Sequence, residues 1–324
     1  MAEIGKDIPK AASLLKQGKL VAIPTETVYG LAGNALDVDA ITKIFVTKNR
    51  PYFDPLIVHV HDAVAAKDYT TNIPAKATEL MRRFWPGPLT VLLPKKNVIP
   101  DLVTAGLDRV GLRCPDHAMT LELMRVISFP LAAPSANPFG YVSPTSPKHV
   151  NDQLGDAIEY ILDGGECKVG IESTIVAFEG DQPVIYRLGG LRVEDIEIVV
   201  GPVQVKTNSV SNPEVPGQLQ SHYSPHKPIL IGDIRQLILE NKSKAIGVLS
   251  FKKLDLPLDI VKVIALSNAG DLNQAAQKLF SALRELDDTK IDLIVTEFVP
   301  NIDLGRAIND RLRRAASDSG NLSP

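Results

Sequence analysis

The sequence predicts an α/β protein with two domains, and three observations support this prediction. Short apolar runs alternate with longer segments in which apolar residues recur at helical spacing, a pattern typical of a sheet covered by helices. The 324 residues exceed the size at which a single core usually stops growing. Asn, Ser, Pro, Gly and Gln displace the apolar pattern at residues 203–227. We therefore expect a first domain over residues 1–204, a linker or lid over residues 205–227 and a smaller domain over residues 228–324.

The first domain is predicted to contain a mixed sheet with helices packed against it. Helices are expected at Ile8–Leu15, Val38–Val46 and Met119–Ile127, and strands at Leu20–Ile23, Leu56–Val60, Leu89–Leu93, Val110–Arg113 and Leu131–Ala133. Three further strands are expected at Glu159–Leu162, Thr174–Phe178 and Val184–Arg187. Their connections are short, which favours antiparallel additions to the sheet.

The second domain is predicted as a smaller, doubly wound, Rossmann-like α/β unit with a parallel sheet. Apolar runs at Ile229–Ile231, Ala245–Leu249, Val261–Leu266 and Ile291–Val295 are separated by helical segments, including the amphipathic segment Leu272–Leu286. The domain contains neither a G-x-x-x-x-G-K-[ST] nor a G-x-G-x-x-G phosphate loop. The sequence therefore does not mark it as a separate nucleotide site.

Composition narrows the functional classes. The net charge is −3, so any anion site must be a local concentration of cations and not a surface that wraps nucleic acid. Cys114 and Cys167 lie far apart without metal-ligand spacing, which indicates buried packing thiols in a reducing compartment. The sequence also has no apolar stretch of the ~20 residues that a membrane span needs. We expect a cytoplasmic protein with no membrane partner.

The segment Pro24–Leu31 directly follows a predicted buried strand. It places hydroxyl groups and a carboxylate at a strand end, and Gly30 allows close approach of the backbone. These features predict one wall of a small-ligand pocket. The alternative is a helix start, with Thr25 or Thr27 as the N-cap residue.

Five cations stand at the ends of predicted elements. Lys48 and Arg50 end a helix, where they could simply complement the helix dipole. Arg109 and Arg113 flank a buried strand, a costly place for guanidinium groups unless an anion meets them, although Arg109 could instead be solvated at the surface. Arg187 precedes two glycines that let the backbone pack closely against a ligand. We predict that these five side chains meet in one hollow beside the strand that ends at Ile23.

Uncharged polar residues accompany the cations. Ser135 and Asn137 follow another short strand, with Ser143 shortly after, and their groups suit hydrogen bonds to phosphate or ribose oxygens. Turn formation is the competing explanation. His59 and His61 lie two residues apart, which is the spacing of a metal pair on one strand face. Because the sequence offers no third ligand in register, we favour a substrate hydrogen bond for His59 and predict no metal site.

Taken together and in this order, these segments resemble the YrdC-like family in its long, two-domain form. The resemblance rests on PTETVYGL at residues 24–31, K-x-R-P and D-P-L within 48–56, WPGPLT at 85–90, VGLRCP at 110–115, PSAN at 134–137, ESTIV at 172–176 and YRLGG at 186–190. The element His222-Tyr223-Ser224-Pro225 is similar to one that folds back over the active site in the long form. The family resemblance implies an open twisted α/β sheet with a large positive cleft, in which a threonine pocket lies beside an ATP site.

The resemblance also implies an activity and a set of residues. The reaction joins L-threonine, bicarbonate or CO2 and ATP, with Mg²⁺ accompanying the ATP, into threonylcarbamoyl-adenylate for a tRNA modification next to the anticodon. Downstream tRNA threonylcarbamoyl-transfer proteins would accept the product. The implied threonine contacts are Thr27, His59, Arg113, Ala133 and Ser173; the implied ATP contacts are Arg50, Asp54, Arg109, Ser135, Ser143, Arg187 and His222; the implied catalytic set is Lys48, Arg50, Ser135 and Asn137; and the implied lid residues are Tyr223 and Ser224.

Two positions depart from the family pattern, and two other functions remain open. Asp54 stands where the family more often has Asn, so that its carboxylate would repel a triphosphate unless Mg²⁺ or Arg50 intervenes. Ser221 stands where Lys or Arg is usual, before His222. The first alternative function is an RNA-binding module without adenylylation activity, against which stand the aromatic fraction of 5% and the lack of a Lys/Arg run. The second is a carbamoyl-adenylate enzyme of hydrogenase maturation, whose acylphosphatase-like and zinc-finger segments this sequence lacks. Direct tRNA binding stays open.

Overall fold

A computed structural model describes residues 1–207, 213–217, 222–256 and 260–317. Within these ranges the chain divides into two compact units. The first unit contains residues 1–139, 143–168 and the described residues between 172 and 217, and the second contains residues 140–142, 169–171 and the described residues from 222 onward. Residues 213–217 therefore group with the first unit and residues 222–227 with the second, while the predicted domain boundaries stay predictions.

The first unit alternates strands and helices along most of its length. Its elements are β1 (Glu3–Gly5), α1 (Ile8–Lys16), β2 (Val21–Ile23), β3 (Gly30–Asn34), α2 (Val38–Lys48), β4 (Ile57–His59), α3 (Ala75–Phe84), β5 (Leu89–Pro94), α4 (Asp101–Thr104), β6 (Arg109–Arg113), α5 (Ala118–Val126), β7 (Leu131–Ala132), α6 (Pro147–Leu154), β8 (Tyr160–Leu162), β9 (Thr174–Glu179), β10 (Gln182–Arg187), α7 (Val193–Val200) and β11 (Gln204–Val205). The helices and strands predicted here are confirmed to within a few residues, whereas β1, β3, α3, α4, α6, α7 and β11 were not predicted.

The strands form one mixed sheet in the order β1-β8-β2-β3-β7-β4-β6-β5-β9-β10-β11, which confirms the predicted mixed α/β fold. The prediction of antiparallel additions is wrong for β8, which lies between β1 and β2 and runs parallel to both. It is right for the β9–β10 pair, but β9 pairs in parallel with β5 on its other side. β8 departs from the prediction because the chain passes through α6 before it enters the sheet, so its sequence neighbours are not its sheet neighbours.

The α2 helix shows how local sequence positions a site residue. The Asp37 carboxylate caps its start by accepting from the backbone amides of Asp39 and Ala40. Asn49 ends the helix in the left-handed conformation, with φ of 52°, which Asn tolerates better than most residues. The helix therefore stops at Lys48, and the chain turns sharply.

The two faces of the central strands differ in chemistry. One face, which carries Val58, Val91 and Leu112, packs in the main core against α2 and α3. On the other face, α1 and α5 cover the apolar residues of β2, β3 and β7. Val215 covers the apolar residues of β4, β5, β9 and β10 on the same face. Between these two apolar regions the face carries polar side chains, which is where the candidate site lies.

The second unit contains a parallel sheet in the order β12-β15-β13-β14, which confirms the predicted parallel sheet. Its elements are β12 (Ile229–Ile231), α8 (Ile234–Glu240), β13 (Ile246–Ser250), β14 (Lys262–Ala265), α9 (Leu272–Asp287), β15 (Leu293–Thr296) and α10 (Gly305–Ala316). Val248 and Val295 lie in its core with Ile234 of α8. Across both units, the described part of the chain contains no helix that is long and apolar enough to cross a membrane.

Candidate active site

Three neighbouring strands place His59, Thr90 and Arg113 side by side on one face of the sheet. His59 of β4 and Thr90 of β5 both stand opposite Arg113 of β6 in the strand register. Ser173, just before β9, extends the row through a 2.8 Å hydrogen bond between its hydroxyl and that of Thr90. All four side chains are buried. We refer to these four residues as the polar strip.

Arg113 is held by the turn between β2 and β3. Its Nη2 donates to the Thr27 hydroxyl at 2.7 Å and lies 2.8 Å from the Glu26 carboxylate oxygen Oε2. The same oxygen accepts from the backbone amide of Asp116. Sequence reasoning did not select Glu26, although its position among hydroxyl groups after a buried strand was a signal. Glu26 and Arg113 are almost fully buried and compensate each other's charge.

The segment that follows β2 is a turn and not the start of a helix. The Thr25 hydroxyl accepts from the backbone amides of Thr27 and Val28 and contacts the Val28 carbonyl at 2.6 Å. The chain then enters β3, so the N-cap alternative for Thr25 or Thr27 is wrong. This hydrogen-bonded turn fixes Glu26 and Thr27 against Arg113.

Arg187 lies at the other end of the polar strip. Its Nε donates to the Ser173 carbonyl at 3.0 Å, its Nη2 donates to the Ser173 hydroxyl at 3.0 Å, and its Nη1 donates to the Pro216 carbonyl. The glycine pair after Arg187 has a packing role, because a Cβ atom on Gly189 would lie 2.3 Å from the Glu172 carbonyl oxygen. Close backbone packing therefore brings Arg187 against Ser173.

Lys48 is turned into the protein and does not extend from the end of α2 into solvent. It is 1% exposed, and its Nζ donates to the carbonyl oxygens of Ser135 and Asn137 at 2.5 Å each. Burial, with a smaller contribution from Arg50, holds the pKa of Lys48 well below its usual range. The Lys48 side chain thus shapes the loop after β7, on which Ser135 is half-buried.

Arg50 and Asp54 form a buried ion pair. Arg50 Nη2 lies 2.9 Å from Asp54 Oδ2, and the same guanidinium donates to the backbone carbonyls of Asp54 and Pro55. Burial raises the pKa of Asp54, against the opposing effect of Arg50, Lys48 and Arg187. Asp54 is therefore surrounded by three of the five predicted cations.

Ser143 and Ala133, two further predicted contacts, are both buried. The Ser143 hydroxyl donates to the Glu172 carboxylate at 2.6 Å. The Ala133 amide donates to the Ile57 carbonyl, which fixes the end of β7 beside β4. Cys114 and Cys167 are buried, as predicted, and burial raises the pKa of the Cys114 thiol to about 12.

Arg109 does not join the other four cations. It begins β6, four residues before Arg113, which is about 13 Å along a strand. Its guanidinium pairs with Glu214 and lies over the Tyr186 ring, 5.8 Å from the centroid. The structure thus brings Lys48, Arg50, Arg113 and Arg187 to the region of the polar strip and Asp54, and leaves Arg109 at the far end of its strand.

The predicted contacts His222, Tyr223 and Ser224 belong to the second unit. Tyr223 is 1% exposed, stacks on Phe280 at 5.5 Å and lies under the Arg311 guanidinium. His222 meets the Tyr223 ring edge-on. Ser221 lies outside the described residues. The ATP contact of His222 and the lid role of Tyr223 and Ser224 stay predictions.

His59 borders a cavity of about 180 Å³, which is also lined by His61, Tyr69 and Phe129. β4 ends at His59, so His61 lies beyond the strand, where it meets the Asp62 carboxylate at 3.5 Å. In the part of the chain that the structure describes, no group of three or more His, Cys, Asp or Glu side chains could hold a metal ion. Burial, reinforced by Arg113, lowers the pKa of His59 to about 3.

This low pKa makes His59 a source of acid sensitivity. Folded His59 stays neutral down to about pH 3, whereas the unfolded residue takes up a proton below about pH 6.5. The stability that His59 contributes is complete above about pH 6.5 and is lost as the pH falls below it. Relative to a His59→Gln variant, the parent protein is expected to lose about 2 kcal/mol more unfolding free energy between pH 6.5 and pH 5. Urea titrations at the two pH values measure this, and equal losses would contradict the assignment.

In the polar strip and Glu26, three buried polar atoms have no hydrogen-bond partner among the described residues. They are Arg113 Nε, Glu26 Oε1 and His59 Nδ1. Because buried polar atoms are nearly always satisfied, such atoms indicate a ligand site. A guanidinium donor, a carboxylate acceptor and a neutral imidazole suit a small zwitterion with a further polar group. The nearby Arg50, Arg187 and Ser135 provide donors for a second, more anionic ligand.

Comparison with known families assigns both parts of the chain. Residues 13–189 match the Sua5/YciO/YrdC family model, described as "Telomere recombination". Residues 191–317 match a family model described as "Threonylcarbamoyl-AMP synthase, C-terminal domain". The two matches together span most of the described chain.

Individual relatives cover nearly the whole length. The threonylcarbamoyl-AMP synthase of Bacillus subtilis is 41% identical over 95% of this chain and 92% of its own, and that of Pyrococcus abyssi is 40% identical over 94% and 93%. A crystal structure of P. abyssi Sua5 complexed with L-threonine superposes with a TM-score of 0.91 at 38% identity, covering 98% of each chain. On its sequence, its fold and its two domain matches, the chain belongs to the Sua5/YciO/YrdC family, in the long, two-domain form.

Proposed function

We propose that this protein converts L-threonine, bicarbonate or CO2 and ATP into threonylcarbamoyl-adenylate and pyrophosphate. The observation that carries the proposal is the buried Arg113, which Glu26 and Thr27 orient and whose Nε has no hydrogen-bond partner among the described residues. A guanidinium prepared in this way suits the carboxylate of an amino acid. The relatives that match over nearly the full length are named for the same activity.

The proposed chemistry needs no protein nucleophile. The neutral amine of threonine adds to CO2 with release of a proton to solvent, or condenses with bicarbonate with loss of water, and forms an N-carboxylate in either case. An oxygen of that group attacks the α-phosphorus of ATP, a new P–O bond forms, and the bond to the pyrophosphate group breaks. Catalysis then consists of aligning the two substrates and stabilising negative charge, which buried and preoriented donors do well.

We propose that threonine lies along the polar strip. Arg113 would bind its carboxylate, while Thr27, Ser173 and His59 would contact its polar groups and the backbone at Ala133 would close the pocket. Of these residues, only His59 lines the cavity of about 180 Å³ described above. Thr27 and Ser173 are both fully buried, so their hydroxyls are fixed donors or acceptors and not mobile surface groups.

We propose that the ATP phosphates contact Arg50, Arg187 and Ser135, with Lys48 and Asn137 fixing the loop that presents Ser135. Asp54 and Ser143 would act from behind these groups, because Asp54 pairs with Arg50 and Ser143 with Glu172. Arg109, at the start of β6, would contact ATP only after its ion pair with Glu214 breaks. His222 as an ATP contact, with Tyr223 and Ser224 as a lid that keeps water from the carbamate, completes the proposed set.

Mg²⁺ fits this region as part of a MgATP substrate better than as a protein-held ion. The carboxylates of Asp54 and Glu172 are engaged by Arg50 and Ser143, and Asp54 stands among cations. When bound, Mg²⁺ would neutralise phosphate charge. We further propose a cytoplasmic location, where threonine and ATP are available, and downstream tRNA threonylcarbamoyl-transfer proteins as acceptors of the product.

A pyrophosphate-release assay with ATP and bicarbonate tests the function. Threonine is expected to support turnover. Valine, which lacks the hydroxyl, should be roughly a thousandfold poorer, and serine, which lacks one methyl, about tenfold poorer. Equal rates with the three amino acids, or no rate, would contradict the proposal. Salt-dependent RNA binding without pyrophosphate release would instead favour an RNA-binding module.

A further inference from the structure

Asp54 is unusual among the buried side chains of the site. Its side chain is 0% exposed, and its carboxylate oxygens form no hydrogen bond with any described residue. The pair with Arg50 is an ion contact at 2.9 Å. A buried carboxylate that lacks hydrogen bonds is weakly stabilised in its charged form, because burial removes water without replacing it.

Among the described residues, the charged groups that act electrostatically on Asp54 are cationic. Lys48 and Arg50 reach it from the end of α2, and Arg187 reaches it from the end of β10. These are groups to which the proposed function assigns the nucleotide or the loop beside it. A triphosphate bound there would have to share Arg50 and Arg187 with the carboxylate.

We propose that Asp54 is an internal counter-anion that lowers the affinity of this site for the ATP triphosphate, and that ATP binding is accompanied by uptake of a proton from solvent at Asp54. The inference rests on the proposed function, since it takes ATP as the ligand of Arg50 and Arg187. Asp54 thereby acts as a positioning residue. It holds Arg50 in place before ATP arrives, and it releases Arg50 on taking up a proton, when the phosphates compete for the guanidinium.

The sign of the effect follows from charge. Burial already raises the pKa of Asp54, and a polyanion nearby raises it further because two like charges disfavour each other. At low pH Asp54 is neutral and the three cations are uncompensated, so ATP binds tightly. As the pH rises and Asp54 ionises, the dissociation constant of ATP increases. Removing the charge should therefore tighten binding and remove this pH dependence.

Isothermal titration of MgATP without threonine, at neutral pH and in two buffers of different ionisation enthalpy, measures the affinity and the protons taken up. The Asp54→Asn variant is expected to bind ATP about tenfold more tightly than the wild type. The wild type should take up more protons per ATP than the variant does. The matched control is Asp39→Asn, which removes an exposed carboxylate from the first turn of α2, and it should behave as the wild type.

Equal proton uptake in wild type and Asp54→Asn, or weaker ATP binding by that variant, would overturn the inference. If the variant does not fold, titrations of the wild type across the acidic range decide, and an ATP dissociation constant that does not rise with pH would overturn it. If one of these results overturned the inference while the wild type still released pyrophosphate with threonine, the proposed function would stand. A wild type that binds no ATP would remove both.

Discussion

An Arg113→Lys variant is expected to lose about a thousandfold in kcat/KM for threonine. Lysine keeps the positive charge but cannot donate to Thr27, meet Glu26 and present a second planar donor to a carboxylate at the same time. The loss should appear in the KM for threonine as well as in kcat, because Arg113 touches the amino acid and not the nucleotide in the proposed arrangement. Steady-state pyrophosphate release at varied threonine concentration measures both parameters.

Arg125→Lys is the matched control for this experiment. Arg125 is exposed in the last turn of α5, so this substitution makes the same chemical change at a surface position. It should leave kcat and KM unchanged. If Arg113→Lys retained a wild-type KM for threonine, Arg113 would have no contact with the amino acid, and the polar strip would need another ligand.

A Lys48→Met variant is expected to have measurably lower activity than the wild type and to lose about 2–4 kcal/mol of unfolding free energy. Methionine fills a similar volume but cannot donate, so the buried carbonyls of Ser135 and Asn137 lose a hydrogen bond each. The loop after β7 would then lose its fixed position beside the end of α2. Urea denaturation measures the stability, and pyrophosphate release measures the activity.

Lys43→Met on the same helix is the control. Lys43 is exposed and donates to the Gly18 carbonyl at the surface, so its loss should cost well under 1 kcal/mol. If Lys48→Met had wild-type stability, the Lys48 hydrogen bonds would contribute no net unfolding free energy. If it had wild-type activity, Lys48 would not belong to the proposed catalytic set.

The sequence was most informative where polar residues end apolar runs. Arg113 was selected because a buried strand end is a costly place for charge, Thr27 for a hydroxyl at a strand end, and Arg187 for the glycines that follow it. The structure places Arg113 in the polar strip and brings Thr27 and Arg187 into contact with it. Arg109 begins the strand that Arg113 ends and pairs with Glu214, and its contact with ATP stays a prediction. Strand polarity decides which end faces the site, and the sequence does not reveal the direction in which a strand enters a sheet.

Contacts between residues far apart in the chain could not be predicted from the sequence. Glu26 meets Arg113 across 87 positions, and although its place after a buried strand indicates a pocket wall, nothing in the sequence names Arg113 as its partner. Likewise, the parallel placement of β8 between β1 and β2 depends on the path of the chain through α6. Local periodicity predicts which elements form, whereas their neighbours depend on the packing of whole elements.

The proposed mechanism requires that a buried guanidinium on β6 receives the carboxylate of an amino acid, while Arg50 after α2 and Arg187 on β10 receive a nucleotide. A crystal structure of this protein with L-threonine and a non-hydrolysable ATP analogue tests it most directly. We expect the threonine carboxylate within about 3 Å of Arg113 Nε, and the phosphates on Arg50 and Arg187. Threonine bound away from β6, or phosphates that contact neither arginine, would contradict the account.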